Sequence, residues 1–368
     1  MTRLFRAHEG CDAPADTLAG QAKIIEKTDK AKSVARETLM NRLPLTFACG
    51  RYDRTEALRT GEIQPEGIAL NYIPIEASRE IFDRMVGNHE FDCAELSSSE
   101  FIRMVDGGKA PFVAVPVFPS RAFRHDFIFV NRNAGIRTPK DLEGKRIGTG
   151  LYTQTAAVYI RGHLQNDFGV DFSKVKWVQG AIEKPGPHGQ PSTRPLLQPI
   201  DITENESPYS LAELLARGEI DAMIPARRPP GFGKNPDIVR LFPNFREIER
   251  DMYVRTKVHP VMHVLAIRRD VYERNPWVAA SLFKAFNEAK DWAVDRMRVS
   301  ITQSTMFPWH LSEFDEVEQL MGGDPWPYGI EPNRSTLEAL IMFLHQQHMI
   351  GRRMPVEELF APLKGLFD

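Results

Sequence analysis

Gly87-Asn88-His89-Glu90-Phe91-Asp92-Cys93-Ala94 and Gly218-Glu219-Ile220-Asp221-Ala222 are two versions of one pattern. Each follows a helical periodicity, stops it with Gly, turns through acidic residues and enters an apolar strand through Asp. Glycine ends helices because it adopts left-handed backbone without steric cost. Each strand then runs into polar residues: Glu95-Leu96-Ser97-Ser98-Ser99 in the first, Ala226-Arg227-Arg228 in the second. Two equivalent α/β units whose strands end in polar chemistry predict two lobes facing one cleft. Ligands of open α/β sheets gather beyond the carboxyl ends of the strands.

The rest of the chain extends this alternation. Leu45–Cys49 reads as a first buried strand stopped by Gly50, and Ile68–Ile73 as a second after the turn Pro65-Glu66-Gly67. Strands are predicted at 91–96, 112–118 and 127–131, with helices at 79–86 and 99–105 between them. A new unit opens at Thr138-Pro139-Lys140-Asp141-Leu142, where Thr caps a short helix and Pro takes its first position. The strand 146–149, the helix 155–167 and the strand 175–179 follow. Residues 181–210, rich in Pro, Gly, Gln and Ser, read as an insertion loop. Residues 262–267 form one more buried strand, and after Asp270 the pattern is nearly all helical. Strands alternating with helices imply α/β layers around a largely parallel sheet.

With 368 residues the chain exceeds what one core usually serves, so two lobes are also the expectation from length. Its 47 Lys+Arg balance 49 Asp+Glu, so the overall charge does not point to the basic surface that nucleic-acid binding requires, and no nucleic-acid partner is expected. No apolar run approaches the ~20 residues of a membrane span. Three scattered cysteines, Cys11, Cys49 and Cys93, make no CxxC pair or disulfide framework, as in a reducing cytoplasm. Residues 1–43 read as a polar extension outside the core, without the apolar stretch of a secretory signal. A translation start at Met40 is the other explanation. The sequence also lacks a phosphate-binding Gly-rich loop, a Gly-x-Ser-x-Gly elbow and a His-Glu-x-x-His pair. It shows no binding signature for pyridoxal, thiamine or flavin.

Five segments together resemble the 4,5-dihydroxyphthalate decarboxylases. They are Gly50-Arg51-Tyr52-Asp53-Arg54-Thr55, Glu95-Leu96-Ser97, Arg121-Ala122-Phe123-Arg124-His125, Asp141–Gly148 and Pro260–Asp270, and the resemblance runs from Leu45 to about Phe360. It implies a two-lobed type II periplasmic-binding-protein-like fold with a helical C-terminal tail. Lobe one would hold 44–137 and 262–368, and lobe two 138–261. It also implies a small aromatic carboxylate as ligand, decarboxylated without an organic cofactor. A solute-binding protein without catalysis is the alternative on the same fold.

Candidate residues follow from position and chemistry. Arg54 and Asp53 come directly after the first strand, Arg124 just before the strand 127–131 and Arg227 after the repeat strand. Guanidinium forks pair with carboxylates bidentately. Ser97, Ser98 and Ser99, and across the cleft Tyr152, Thr153 and Thr155, offer hydroxyls and helix-start N–H groups to an anion. His263, with His125 and Glu95 as alternatives, is the expected proton donor. His259 and His263 have i, i+4 spacing, but on a strand this places them ~13 Å apart, so no metal is expected. The apolar faces of the helical tail have room for a homo-oligomer contact.

Overall fold

The computed structural model describes residues 42–108, 110–189, 196–299 and 305–363. The extension 1–41 and the alternative start at Met40 therefore lie outside the described residues. Eleven strands and ten α-helices alternate along the described chain. The first half runs β1 (Leu43–Cys49), α1 (Asp53–Thr60), β2 (Ile68–Pro74), α2 (Ser78–Asn88), β3 (Cys93–Ser97), α3 (Ser98–Asp106), β4 (Phe112–Arg121) and β5 (Phe129–Asn131). Then come β6 (Arg146–Thr149), α4 (Thr155–Phe168), β7 (Lys176–Gln179), β8 (Ile202–Glu204), α5 (Leu211–Arg217), β9 (Ala222–Met223), β10 (Ile238–Arg240) and α6 (Phe245–Thr256). β11 (Val261–Arg268) leads into α7 (Arg269–Arg274), α8 (Val278–Arg298), α9 (His310–Met321) and α10 (Arg334–Gln346).

The strands form two sheets, ordered β2-β1-β3-β11-β4 and β10-β5-β9-β6-β7-β8. In each sheet one strand runs against its neighbours on both sides: β11 is antiparallel to β3 and β4, and β5 to β9 and β10. These are the strands the chain lays down directly after each crossing between lobes. The sequence boundary at residue 137 is corrected by this pairing, because β5 already belongs to the second sheet. The stretch 181–210 is likewise not all loop, since β8 extends the second sheet in parallel register with β7. The helical tail is not confined to one lobe. α8 packs along α1, whereas α10 packs against both α3 and α4.

The repeat has a physical basis. Asp92 accepts hydrogen bonds from the Thr46 amide (2.8 Å) and hydroxyl (2.9 Å) on β1. Asp221 accepts from the Arg146 amide (2.9 Å) and guanidinium (3.0 Å) on β6. Each Asp, entering its strand, thus ties it to its parallel neighbour. Gly218 adopts φ +72°, the left-handed conformation expected of the helix stop, whereas His89 takes that role (φ 51°) after Gly87.

α4 crosses α10 closely at Gly162, where an added Cβ would collide with the Phe343 ring. The same crossing buries Arg161, whose Nε donates to Gln347 Oε1 (2.9 Å) and whose Nη2 donates to Tyr152 O (2.6 Å). Among the described residues no helix is long and apolar enough to cross a membrane.

Candidate functional site

The parallel strands β1, β3, β6 and β9 all end at the edge where the two sheets face each other. β11 runs the opposite way in its sheet, so its beginning lies at that edge. This direction brings His263 beside Ser97, its register partner on β3. On its other side β11 meets an irregular β4: His263 pairs with Ser120 and Leu265 with Val115, so the ladder skips the intervening residues. β4 carries Pro116 and Pro119 there, and proline has no N–H for the ladder. The carbonyls of the skipped stretch are taken elsewhere. Gly329 N–H donates to Pro116 O (2.8 Å), Trp326 Nε1–H to Phe118 O (2.9 Å) and Arg54 Nε–H to Pro119 O (2.7 Å).

At the centre Glu95 Oε2 lies 2.6 Å from His263 Nδ1. Glu95 is wholly buried. Its Oε1 accepts from the Gly50 amide (2.7 Å), and its Oε2 from the Tyr52 hydroxyl (3.1 Å). Burial pushes the Glu95 carboxyl up, but the His263 charge, the His263 hydrogen bond and the Gly50 and Tyr52 donors outweigh it, leaving the group below the ordinary range. An ionised carboxylate only accepts, so Nδ1 carries the hydrogen and Nε2 is left for other chemistry. His263 Nε2 has no partner among the described residues, and its side chain keeps 16% of its accessible surface. Phe82 of α2 meets the imidazole edge-on at 5.0 Å and fixes its plane.

A second cluster joins the lobes. The Ser97, Ser99 and Thr155 hydroxyls lie 3.0–3.3 Å apart, Ser99 N–H donates to Thr155 Oγ1 (3.1 Å), and Ser99 Oγ–H donates to Thr153 O (2.7 Å). Two more buried hydroxyls, Ser98 Oγ and Thr153 Oγ1, have no hydrogen-bond partner among the described residues. The helix starts that sequence reading offered to an anion are therefore partly engaged with each other.

The remaining candidates separate from this centre. Tyr152 turns into lobe two, its ring stacked 3.7 Å under the Arg161 guanidinium and edge-on to Trp177. His125 sits among His163, Phe168 and Phe242, and its backbone N–H donates to Glu249 (2.8 Å), so it shares no contact with the Glu95–His263 pair. Arg124 is buried at the crossing, where Nη1 donates to Ala226 O (2.8 Å) and Nε to Met262 Sδ (3.1 Å); burial pulls it down to about 10. Its geometry ties the lobes together. Arg54 is held between the Tyr52 and Trp326 rings (4.3 and 4.1 Å) and paired with Asp53 (3.0 Å). It supports Tyr52, which in turn holds Glu95. Arg227 stays largely exposed at the end of the β9 loop, paired with Glu183 at 3.0 Å. His259 stacks on Phe123 at 4.7 Å and makes no common site with His263. No group of three or more His, Cys, Asp or Glu suited to a metal occurs among the described residues.

Sequence reading missed Tyr52, Phe82 and His188. Tyr52 stood between two charged residues that drew the attention, and Phe82 carried only an amphipathic helix signal. His188 belongs to the segment read as loop, and it lies beside Gly150 at the end of β6.

The comparisons with known proteins bear on the fold and the family. The solved structure of the periplasmic aliphatic sulphonate binding protein SsuA from Escherichia coli superposes with a TM-score of 0.51, covering 87% of this chain and 97% of that one at 12% identity. That likeness supports the binding-protein fold alone. The family model described as NMT1/THI5 like matches residues 64–184. A 4,5-dihydroxyphthalate decarboxylase of Pseudomonas putida is 37% identical over 60% of this chain and 85% of its own length. Another from Comamonas testosteroni is 34% identical over 324 residues, 88% of this chain and 98% of its own length. With a near-complete match at that identity, the chain belongs to the 4,5-dihydroxyphthalate decarboxylase family.

Proposed function

We propose that this chain catalyses the non-oxidative decarboxylation of 4,5-dihydroxyphthalate to 3,4-dihydroxybenzoate and CO2. The observation that carries the reading is the Glu95–His263 pair at the cleft edge, in a chain whose relatives bear that activity in their names. A hydroxyl para to the departing carboxylate makes the substrate its own electron sink. His263, protonated, delivers the Nε2 proton to the ring carbon that bears the carboxylate, while the para hydroxyl gives up its proton and becomes a carbonyl. The C–CO2 bond then breaks, its electron pair restores the aromatic ring, the oxygen regains a proton and CO2 leaves. Glu95 holds the ring of His263 in one tautomer and offsets its charge in the protonated state. A positioned acid of this kind contributes ~10²–10⁴-fold. Arg227 at the rim and the unpartnered Ser98 and Thr153 hydroxyls, one from each lobe, suit the oxygens of the carboxylate that stays. We place the reaction in the cytoplasm, in keeping with the free thiols of Cys49 and Cys93.

The test is to incubate the chelator-treated protein with 4,5-dihydroxyphthalate and follow CO2 and 3,4-dihydroxybenzoate. Turnover supports the reading. A rise in melting temperature without turnover makes the protein a binder, and the absence of both rejects the assignment of the cleft.

A further inference from the structure

The proposed reaction needs two proton-handling groups: an acid at the ring carbon, and a group that takes the proton of the para hydroxyl and returns it. His263 supplies only the first. The molecule holds a second imidazole at the same edge. His188 lies between β7 and β8 in lobe two. Its ring rests on Gly150, directly beyond β6, where an added Cβ would meet His188 Cγ and Cδ2 at 3.3 Å and Gln154 Oε1 at 3.3 Å. The next residue, Gly189, crosses to lobe one: a Cβ there would touch Arg79 Cδ at 3.1 Å. Arg79 lies over the Phe82 ring at 5.4 Å, and Phe82 meets the His263 ring at 5.0 Å. Arg79 and Phe82 are three residues apart on α2, a rise of ~4.5 Å. Residues three apart share a helix face, so the His188–Gly189 segment of lobe two and the His263 ring of lobe one approach the same face of α2.

His188 is also chemically available. Neither ring nitrogen has a hydrogen-bond partner among the described residues. Burial, and then Arg227 and Arg79, disfavour its protonated form, against a weaker opposing pull from Asp83. Arg227 is itself paired with Glu183, and Arg79 with Asp83 and Glu100. A neutral imidazole can accept a proton; a protonated one cannot.

We propose that His188 is the general base of the reaction, accepting the para-hydroxyl proton while His263 protonates the ring carbon on the other side. This rests on the decarboxylase reading above. In the first half-step the O–H bond breaks to His188, the oxygen becomes a carbonyl, and the new C–H bond forms with the proton from His263. In the second the C–CO2 bond breaks, the ring regains its electrons, and the oxygen takes the proton back from His188. His263 is reprotonated from water, so one proton is consumed for each CO2 released.

The experiment uses the full chain and its His188→Gln variant with two readouts. The first is the near-ultraviolet difference spectrum on titration with 3,4-dihydroxybenzoate, which reports ionisation of a catechol hydroxyl without requiring turnover. The wild type is expected to bring up the red-shifted catecholate band at a lower pH than the variant, which still binds the catechol. The second is kcat with 4,5-dihydroxyphthalate, expected to fall ~10²-fold or more in the variant, with loss of the acidic limb of its pH profile. A variant whose band appears at the wild-type pH and whose kcat stays within threefold overturns the proposal. A wild type that shows the His188-dependent band but releases no CO2 instead rejects the decarboxylase reading, leaving His188 as a proton acceptor for a bound catechol.

Discussion

Replacing Glu95 by Gln changes one charge and almost no volume, and it tests the proposed acid directly. Glu95 accepts from three donors, the Gly50 amide, the Tyr52 hydroxyl and His263 Nδ1. A glutamine offers one carbonyl oxygen and turns an NH2 toward at least one of them. The bond to His263 loses its charge assistance, an interaction worth ~1.5–3 kcal/mol. If that interaction serves the protonated imidazole in the transition state, kcat should fall ~10- to 150-fold at ~1.4 kcal/mol per factor of ten. KM should move little, because Glu95 is wholly buried and does not reach a ligand. The assay is initial-rate CO2 release across substrate concentrations, so that kcat and KM separate. The same variant leaves a buried donor badly paired, at ~1–3 kcal/mol of stability, and a thermal melt should show a drop of a few degrees. Retention of kcat within threefold in a folded Gln variant would refute the role of the pair. A loss expressed only in KM would move Glu95 from the chemistry to binding.

Three further outcomes are expected. Ser99→Ala removes the hydroxyl that donates to Thr153 O and meets Ser97 and Thr155, so kcat/KM should fall ~3- to 10-fold, mainly through KM, with a change in stability of about 1 kcal/mol. Gly162→Ala forces a methyl into the Phe343 ring and should destabilise by ~1–3 kcal/mol, read as a lowered melting temperature with kcat retained in the folded fraction. Acid should destabilise the protein in two windows. His163, His188 and His259 are held below their ordinary values, burial being the largest cause, so below about pH 6.5 the unfolded chain takes up protons that the folded one refuses and stability falls. Glu95 is depressed, so its contribution is complete above pH ~4.3 and is lost as pH falls through its lower folded value. Denaturant titrations between pH 8 and pH 3 would show both slopes, and a flat profile would refute them.

Periodicity and punctuation are local properties, and here they were enough for the architecture. The strand 146–149 and the helix starting at Thr155 were legible to the residue, because Pro139, Gly144 and Gly169 bound them in sequence. The repeat through Asp92 and Asp221 was visible for a comparable reason: each Asp repeats one local hydrogen-bonding task. The segment order also led to the family. Which candidates share a site depended instead on strand direction and crossing geometry. His263 and Glu95 are 168 positions apart and meet only because β11 lies antiparallel beside β3. Arg124, Arg54 and Tyr152 have the residue types that hold anions, yet the lobe crossing, the Trp326 loop and the α4–α10 contact commit their side chains to the scaffold. A sequence states which groups are available to bind. Burial and partner geometry, set by residues hundreds of positions away, decide which remain free to do so.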